Sequence, residues 1–177
     1  MRLGMLPRDL KLNRPIWVHA VSVGEAIAAK SLIQELKVIY PDKQLFITTV
    51  TPTGNKIAQG IASNADFVSY LPIDLSFIVR NVVDKINPCL FVIVETEIWP
   101  NLITELYKKN IPIVVVNGRI SDRSFKGYLS IKFLLKPILN RINLFCVQTR
   151  SDAERLIRLG VPENKIQITG NMKFDGS

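Results

Sequence analysis

The stretch Leu90-Phe91-Val92-Ile93-Val94-Glu95-Thr96-Glu97-Ile98-Trp99-Pro100-Asn101 decides the fold. Its first five residues are continuously apolar, as a strand buried on both faces requires; a half-exposed strand would alternate. Two carboxylates then interrupt the run, and helical spacing follows over Pro100–Lys109, with proline where the first helical turn tolerates it. A doubly buried strand leading into a helix is half of a βαβ unit, and the alternation extends both ways along the chain. Upstream, β-branched or apolar runs occur at Ile16–Val21, Leu45–Val50 and Phe67–Tyr70; downstream they recur at Ile113–Val116, Leu144–Val147 and Lys165–Ile168. Helical spacing lies between them at Glu25–Ile39, Leu75–Ile86, Gly127–Leu139 and Asp152–Leu159. Strands alternating with helices of 10–15 residues predict an α/β, Rossmann-like parallel sheet with helices on both faces. The 177 residues suffice for one such domain, and no internal repeat, low-complexity tract or linker interrupts them.

Composition narrows the function classes. With 47% hydrophobic and 21% charged residues the chain is neither disordered nor a disulfide scaffold. Cys89 and Cys146 sit among apolar neighbours and read as reduced thiols; with one histidine they leave little for a zinc site, so no metal is expected. The chain carries a net charge of +8, and its distribution is uneven. Residues 1–107 hold ten basic and ten acidic groups, whereas residues 108–177 hold thirteen and five. This asymmetry points to a localised anionic partner: nucleic acid, phosphorylated lipid or a phosphate-bearing substrate. No stretch has the length and apolarity of a membrane span, and the N-terminus lacks a signal-peptide core, so a soluble or membrane-surface protein is expected.

In open parallel sheets, ligands gather beyond the C-terminal ends of the strands, and three features fall on that edge. In His19-Ala20-Val21-Ser22-Val23-Gly24-Glu25, Gly24 allows close backbone approach, and Glu25 sits in a first helical turn where the macrodipole favours its ionised form. That carboxylate suits a general base. The same Ser22-x-x-Glu25 spacing is also a capping box, and it recurs at Ser151-x-x-Glu154, where no chemistry is expected. One glycine in the turn is too few for a dinucleotide fingerprint. In Glu95-Thr96-Glu97 the two carboxylates share one side if strand geometry persists, and burial with like charge then raises at least one pKa; alternatively Thr96 or Glu97 simply starts the next helix. Thr51-Pro52-Thr53-Gly54 starts a helix, and its hydroxyls and glycine also suit a sugar or phosphate.

The basic segment from Arg119 to Arg141 interleaves Arg119, Arg123, Lys126, Lys132 and Lys136 with many apolar residues, including Tyr128, Phe133 and Leu134. It fits an interfacial helix drawn to anionic lipid, and equally a core helix with a solvated basic face. Pro137 is expected to bend or end it.

Taken in order, His19…Ser22-Val23-Gly24-Glu25, Thr49-Val50-Thr51-Pro52-Thr53-Gly54, Leu71-Pro72-Ile73-Asp74, Glu95-Thr96-Glu97-Ile98-Trp99-Pro100-Asn101 and Asn117-Gly118-Arg119-Ile120-Ser121 are followed by Val147-Gln148-Thr149 and Gly170-Asn171-Met172-Lys173-Phe174-Asp175. This series resembles the 3-deoxy-D-manno-octulosonic acid (Kdo) transferases of Gram-negative bacteria, from Arg2 to Asp175. The resemblance implies an inverting GT-B glycosyltransferase that moves Kdo from CMP-Kdo to a lipid A precursor in lipopolysaccharide biosynthesis, at the cytoplasmic face of the inner membrane. On that pattern residues 1–170 are the acceptor-binding N-terminal domain and residues 171–177 begin an interdomain linker. The donor-binding domain and the membrane-anchoring segment then lie outside the chain, and the fragment alone is expected to be inactive.

Carried over by motif, Glu25 corresponds to the proton acceptor, and Glu95 and Lys173 to transition-state stabilisers. Ser22, Gly24, Thr51, Thr53, Gly54, Glu97, Arg119 and Arg123 are the candidate acceptor contacts. The expected partners are the lipid A precursor, CMP-Kdo and the anionic membrane surface, with no cofactor and no nucleic acid. Two other readings compete. A non-catalytic Rossmann-like module could bind a polyanion through the basic half, although no nucleic-acid motif is present. A different sugar-nucleotide enzyme, such as an epimerase, could share the architecture.

Overall fold

Seven parallel strands form one sheet in the order β3-β2-β1-β4-β5-β6-β7, in a computed structural model that describes residues 6–7, 9–63 and 66–172. The strands are β1 (Ile16–His19), β2 (Leu45–Thr49), β3 (Phe67–Tyr70), β4 (Leu90–Val94), β5 (Ile113–Gly118), β6 (Leu144–Val147) and β7 (Ile166–Ile168). The helices are α1 (Val23–Ile39), α2 (Pro52–Ile61), α3 (Ser76–Ile86), α4 (Pro100–Lys108), α5 (Asp122–Ser130), α6 (Lys132–Leu139) and α7 (Arg150–Leu159). The α/β, Rossmann-like architecture expected from the apolar runs is thus present.

The central strands are buried on both faces, which is why they read as unbroken apolar runs. Ile16, Val18, Leu45, Ile47, Val92 and Val94 pack under Ala26, Ala28, Ala29 and Ile33 of α1 and Ala58 of α2. The alanines let α1 lie close to the sheet. On the opposite face Trp17, Phe46, Phe91, Ile93, Val115 and Phe145 meet the apolar sides of α3, α4, α6 and α7. Trp17 sits at the middle of that layer, its ring centroid 5.0 Å from both Phe46 and Phe91.

The strand order reverses between β1 and β4, which pair directly, His19 beside Ile93. Strand β1 feeds α1 on one face and β4 feeds α4 on the other. Their C-terminal turns therefore diverge and leave a crevice between them, the usual ligand position in such sheets.

Three local expectations need correction. Gly127–Leu139 is not one helix: α5 starts earlier, capped by Ser121, whose hydroxyl accepts from Ser124 N–H at 3.2 Å. The chain then breaks at Ile131 (φ −115°, ψ 21°), whose carbonyl accepts from both Leu134 and Leu135 N–H and so starts a new helix. The break lets Phe125, Leu135 and Leu139 enter one core layer. Pro137 sits inside α6 without ending it. Next, the cap of α7 is Thr149-x-x-Asp152, not Ser151-x-x-Glu154. Thr149 is extended and its hydroxyl accepts from Asp152 N–H at 3.2 Å, while buried Asp152 also accepts from Ile120 N–H at 2.9 Å. Ser151 and Glu154 are exposed on the helix surface, Glu154 pairing with Arg150. Finally, β4 ends at Val94, and Glu95 turns into the left-handed region (φ 63°) instead of continuing the strand. The two-residue alternation assumed for Glu95 and Glu97 therefore does not apply.

Candidate active site

The turn after β1 folds around Glu25. Ser22 is extended (φ −117°, ψ 173°) and is the N-cap of α1. Its hydroxyl donates to Glu25 Oε1 at 2.9 Å, while Val21 N–H donates to Oε2 at 2.6 Å. The capping-box reading is correct, with the carboxylate held at both oxygens. Its electrostatics differ from the sequence expectation. Burial pushes the Glu25 carboxyl above its ordinary value; the Val21 and Ser22 bonds pull it back, and the charge of Glu95 adds to the rise. Desolvation of the carboxylate outweighs the Val21 and Ser22 hydrogen bonds that favour its ionised form.

The β4–α4 loop faces this turn. Glu95 N–H donates to the Val116 carbonyl at 2.9 Å, and Thr96 Oγ1 accepts from Arg119 N–H at 3.0 Å, so the loop is tied to β5 and its exit. Thr96 and Glu97 do not start the helix: Trp99 is the N-cap and Pro100 the first helical residue. Trp99 has no side-chain cap, and Asp74 supplies one from the β3–α3 loop, accepting from Asn101 N–H at 3.0 Å and Leu102 N–H at 2.9 Å. Sequence reasoning gave Asp74 no role. Once the structure puts Trp99 at the helix start, its indole leaves the first N–H groups without a local cap, and the fold, not the local sequence, selects Asp74 as the acceptor.

Glu95, Thr96, Glu97, Arg119, Ser121 and Ser124 line a cavity of about 300 Å³. Burial raises the Glu97 carboxyl, and the charges of Glu25 and then Glu95 raise it further. The expectation that like charge and burial would raise one of the paired acids is met at Glu97. Tyr128 of α5, read from sequence only as part of an apolar face, has its phenol raised by burial and then by the charge of Glu97. The structure therefore joins three carboxylates from two turns, with Arg119 at the rim and Tyr128 within electrostatic reach.

Other candidates take supporting positions. Gly24 lies in the first turn of α1. Thr51 caps α2, accepting from Gly54 N–H at 3.1 Å, and Thr53 is exposed beside it. Gly54 is buried against the site turn: a Cβ there would lie 3.5 Å from the Ser22 carbonyl carbon and 2.9 Å from Thr51 Oγ1. A side chain there would meet Ser22 at ordinary contact distance, and the tight contact is with the Thr51 cap oxygen. Arg123 is exposed on α5 and does not line the cavity. Lys173 lies outside the described residues.

The basic segment contributes to the core and also presents apolar side chains at the surface. Phe125, Leu135 and Leu139 are core, yet Phe133 and Leu134 are 75% and 58% exposed, with Ile131 exposed beside them. Both cysteines are free. No helix among the described residues is long and apolar enough to cross a membrane.

Comparison with known proteins agrees with the motif series. Residues 1–176 match the family described as 3-Deoxy-D-manno-octulosonic-acid transferase (kdotransferase). The chain is 41% identical over 160 residues to the 3-deoxy-D-manno-octulosonic acid transferase of Haemophilus influenzae, covering 90% of this chain and 38% of that protein. It is also 41% identical over 168 residues to a bifunctional glycosyltransferase/methyltransferase of Fusobacterium nucleatum, covering 94% of this chain and 26% of that one. The chain thus spans well under half the length of these relatives. Among solved structures, a UDP-N-acetylglucosamine 2-epimerase superposes with a TM-score of 0.66 at 15% identity, covering 94% of this chain and 48% of the epimerase. A likeness at that identity shows the fold alone, the Rossmann-like unit of GT-B architecture.

Proposed function

Because the chain belongs to the Kdo transferase family, we propose that it is the acceptor-binding half of an inverting glycosyltransferase that moves Kdo from CMP-Kdo to a lipid A precursor. Residues 1–170 form this half, and residues 171–177 lead towards a donor-binding domain. The observation that carries the reading is Glu25: a buried carboxylate, raised above its ordinary value, beside two further carboxylates at the crevice where the strand order reverses.

An acceptor hydroxyl in the crevice gives its proton to Glu25 as its oxygen attacks the Kdo anomeric carbon. The bond from that carbon to the CMP phosphate breaks in the same displacement, which inverts the centre and needs no protein nucleophile. Positive charge develops on the sugar in an oxocarbenium-like transition state, and the nearby Glu95 carboxylate stabilises it. Lys173 is assigned to the departing phosphate or to the sugar's own carboxylate. Arg119 at the cavity rim, with Arg123 further along α5, is suited to anionic groups of the acceptor. The reaction so written uses no cofactor and no metal.

Exposed Ile131, Phe133 and Leu134 among lysines support a second element of the proposal, that α5–α6 rests on the anionic cytoplasmic face of the inner membrane. The central test is Glu25→Gln in the full-length enzyme, assayed with CMP-Kdo and a lipid A precursor. General-base loss lowers turnover roughly 10²- to 10⁴-fold with the fold intact by circular dichroism. Near-normal turnover overturns the assignment of the base, and turnover with a UDP-sugar in place of CMP-Kdo overturns the donor.

A further inference from the structure

His19 and Trp99 belong to the two motifs that build the crevice, and neither has a place in the chemistry above. His19 is the chain's one histidine and is fully buried at the end of β1. Its Nδ1 lies 3.0 Å from the Thr48 carbonyl oxygen. A carbonyl only accepts, so Nδ1 carries the proton, and in the neutral ring Nε2 is a bare acceptor. The ring is neutral at ordinary pH, since burial lowers its pKa to about 4 against a smaller opposing effect of the Thr48 carbonyl. The ring is fixed from below as well, because Thr48 Oγ1, 3.0 Å from Nδ1, accepts from the Trp17 indole N–H at 2.8 Å.

Nε2 has no hydrogen-bond partner among the described residues, and the same holds for the buried indole nitrogen of Trp99. The two rings meet edge to face, with centroids 5.9 Å apart and planes at 78°. An indole N–H only donates and a bare imidazole nitrogen only accepts, so the two unpaired groups in this contact are complementary. Buried polar groups rarely remain unpaired, because each forfeits its bond to water.

We propose that one buried water bridges the two, accepting from the Trp99 indole N–H and donating to His19 Nε2, and that this bridge positions the Glu95–Trp99 loop against the turn that holds Glu25. The proposal rests on the roles given above to Glu25 and Glu95. That loop is tied to β5 and its exit through Glu95 and Thr96, and the helix it enters is tied to the β3–α3 loop through Asp74. The bridge to His19 adds a tie to β1, the strand whose continuation supplies Val21 N–H to the Glu25 carboxylate. His19 and Trp99 are thus positioning residues: they set the separation of the Glu25 and Glu95–Glu97 carboxylates without touching substrate.

The chain's single histidine and two tryptophans make the bridge directly observable. In the 177-residue chain, ¹⁵N resonances of the His19 ring should show Nδ1 protonated and Nε2 as a hydrogen-bonded acceptor. The Trp99 indole proton should exchange slowly with deuterated solvent. Trp99→Phe should move Nε2 to the position of an unbonded nitrogen. In the full-length enzyme, Trp99→Phe and His19→Leu should lower kcat roughly 10- to 100-fold through misplacement of the loop, leave KM for the acceptor within about twofold, and shift the pH profile of kcat. His19→Gln, which retains an acceptor, should recover part of the loss. An Nε2 resonance unmoved by Trp99→Phe together with a fast-exchanging indole overturns the bridge. An unchanged kcat and pH profile in Trp99→Phe overturns the positioning role. If Trp99→Phe does not fold, ¹⁵N shifts and exchange in the unmutated chain still decide the bridge, and His19→Gln against His19→Leu decides its role. Failure of the Glu25 assignment is read separately, from Glu25→Gln in the same assay.

Discussion

Removing the Asp74 carboxylate tests whether a residue outside both carboxylate-bearing turns controls them. Asp74→Ala strips the cap from α4 while leaving the Asp74 main-chain carbonyl, which accepts from the Asn101 side chain at 2.6 Å. What is lost is two bonds from Asn101 and Leu102 N–H to an ionised group, at 3.0 and 2.9 Å. Loss of an N-cap costs roughly 0.5–2 kcal/mol, and bonds to charged partners lie at the upper end of the hydrogen-bond range. The site is half-buried, so water replaces only part of the loss, and about 2 kcal/mol is expected. For a chain of this size that lowers Tm by roughly 4–8 °C. Asp74→Asn keeps one acceptor oxygen and should recover about half. Urea unfolding followed by circular dichroism measures both variants, and transfer by the full-length enzyme should fall in the same order, because α4 begins where the Glu95–Glu97 loop ends. An Asp74→Ala chain within about 0.5 kcal/mol of the parent, or an Asp74→Asn variant as damaged as the alanine, refutes the trans-cap.

Glu97 carries a carboxyl raised by burial and by its acidic neighbours, so the folded chain binds protons there more tightly than the unfolded one. Its contribution to stability is therefore complete below the ordinary value of 4.5 and is lost as pH rises through the folded pKa. Glu97→Gln should make the chain more stable than the parent at pH 7 and lose that advantage below pH 4.5, as Tm measured across pH will show; a gain independent of pH would contradict it. Gly54→Ala would ordinarily strengthen a helix by up to about 1 kcal/mol. Here the new Cβ would lie 2.9 Å from the Thr51 oxygen that caps α2 and displace it, so a net loss of about 1 kcal/mol is expected in urea titrations; a stabilised chain would show that the cap survives the added methyl. Phe133→Ser with Leu134→Ser should leave Tm within about 2 °C, since both side chains are largely exposed, yet weaken binding to anionic vesicles at least tenfold by co-sedimentation. Unchanged vesicle binding would return α6 to an ordinary solvated surface.

The sequence carried the architecture because the signals for it are local and repeated. Leu90–Val94 is apolar at every position, and a strand must be covered on both faces to tolerate that. What failed were the points where a tertiary partner overrides a local pattern. Ser151-x-x-Glu154 has the spacing of a cap as good as Thr149-x-x-Asp152, and the choice is made by Ile120 N–H, which holds Asp152 from another turn. The break at Ile131 has no proline or glycine to announce it, whereas Pro137, the residue that does announce one, is absorbed within α6. Asp74 and Tyr128 were invisible as site residues because one acts across 27 positions of chain and the other acquires its electrostatics only beside Glu97.

Glu25 shows why the structural and chemical roles of one residue need not compete. A carboxylate has about four acceptor positions, and the bonds from Val21 and Ser22 occupy one on each oxygen. The Ser22 backbone also acts on the carboxylate, which still leaves an acceptor position for an incoming hydroxyl, whose approach is constrained because these bonds lock the side chain's rotamer. Those bonds and the macrodipole alone would favour the ionised form and weaken the base. Burial under the first turn of α1 and the negative charge of Glu95 act in the opposite sense, and the upward shift shows which side prevails. The cap supplies the orientation, and the closed, acidic surroundings supply the proton affinity. Replacing Glu25 by Gln separates the two, since the amide oxygen can still accept from Val21 while the basicity is gone; retained fold with lost turnover is the pattern this division of labour requires.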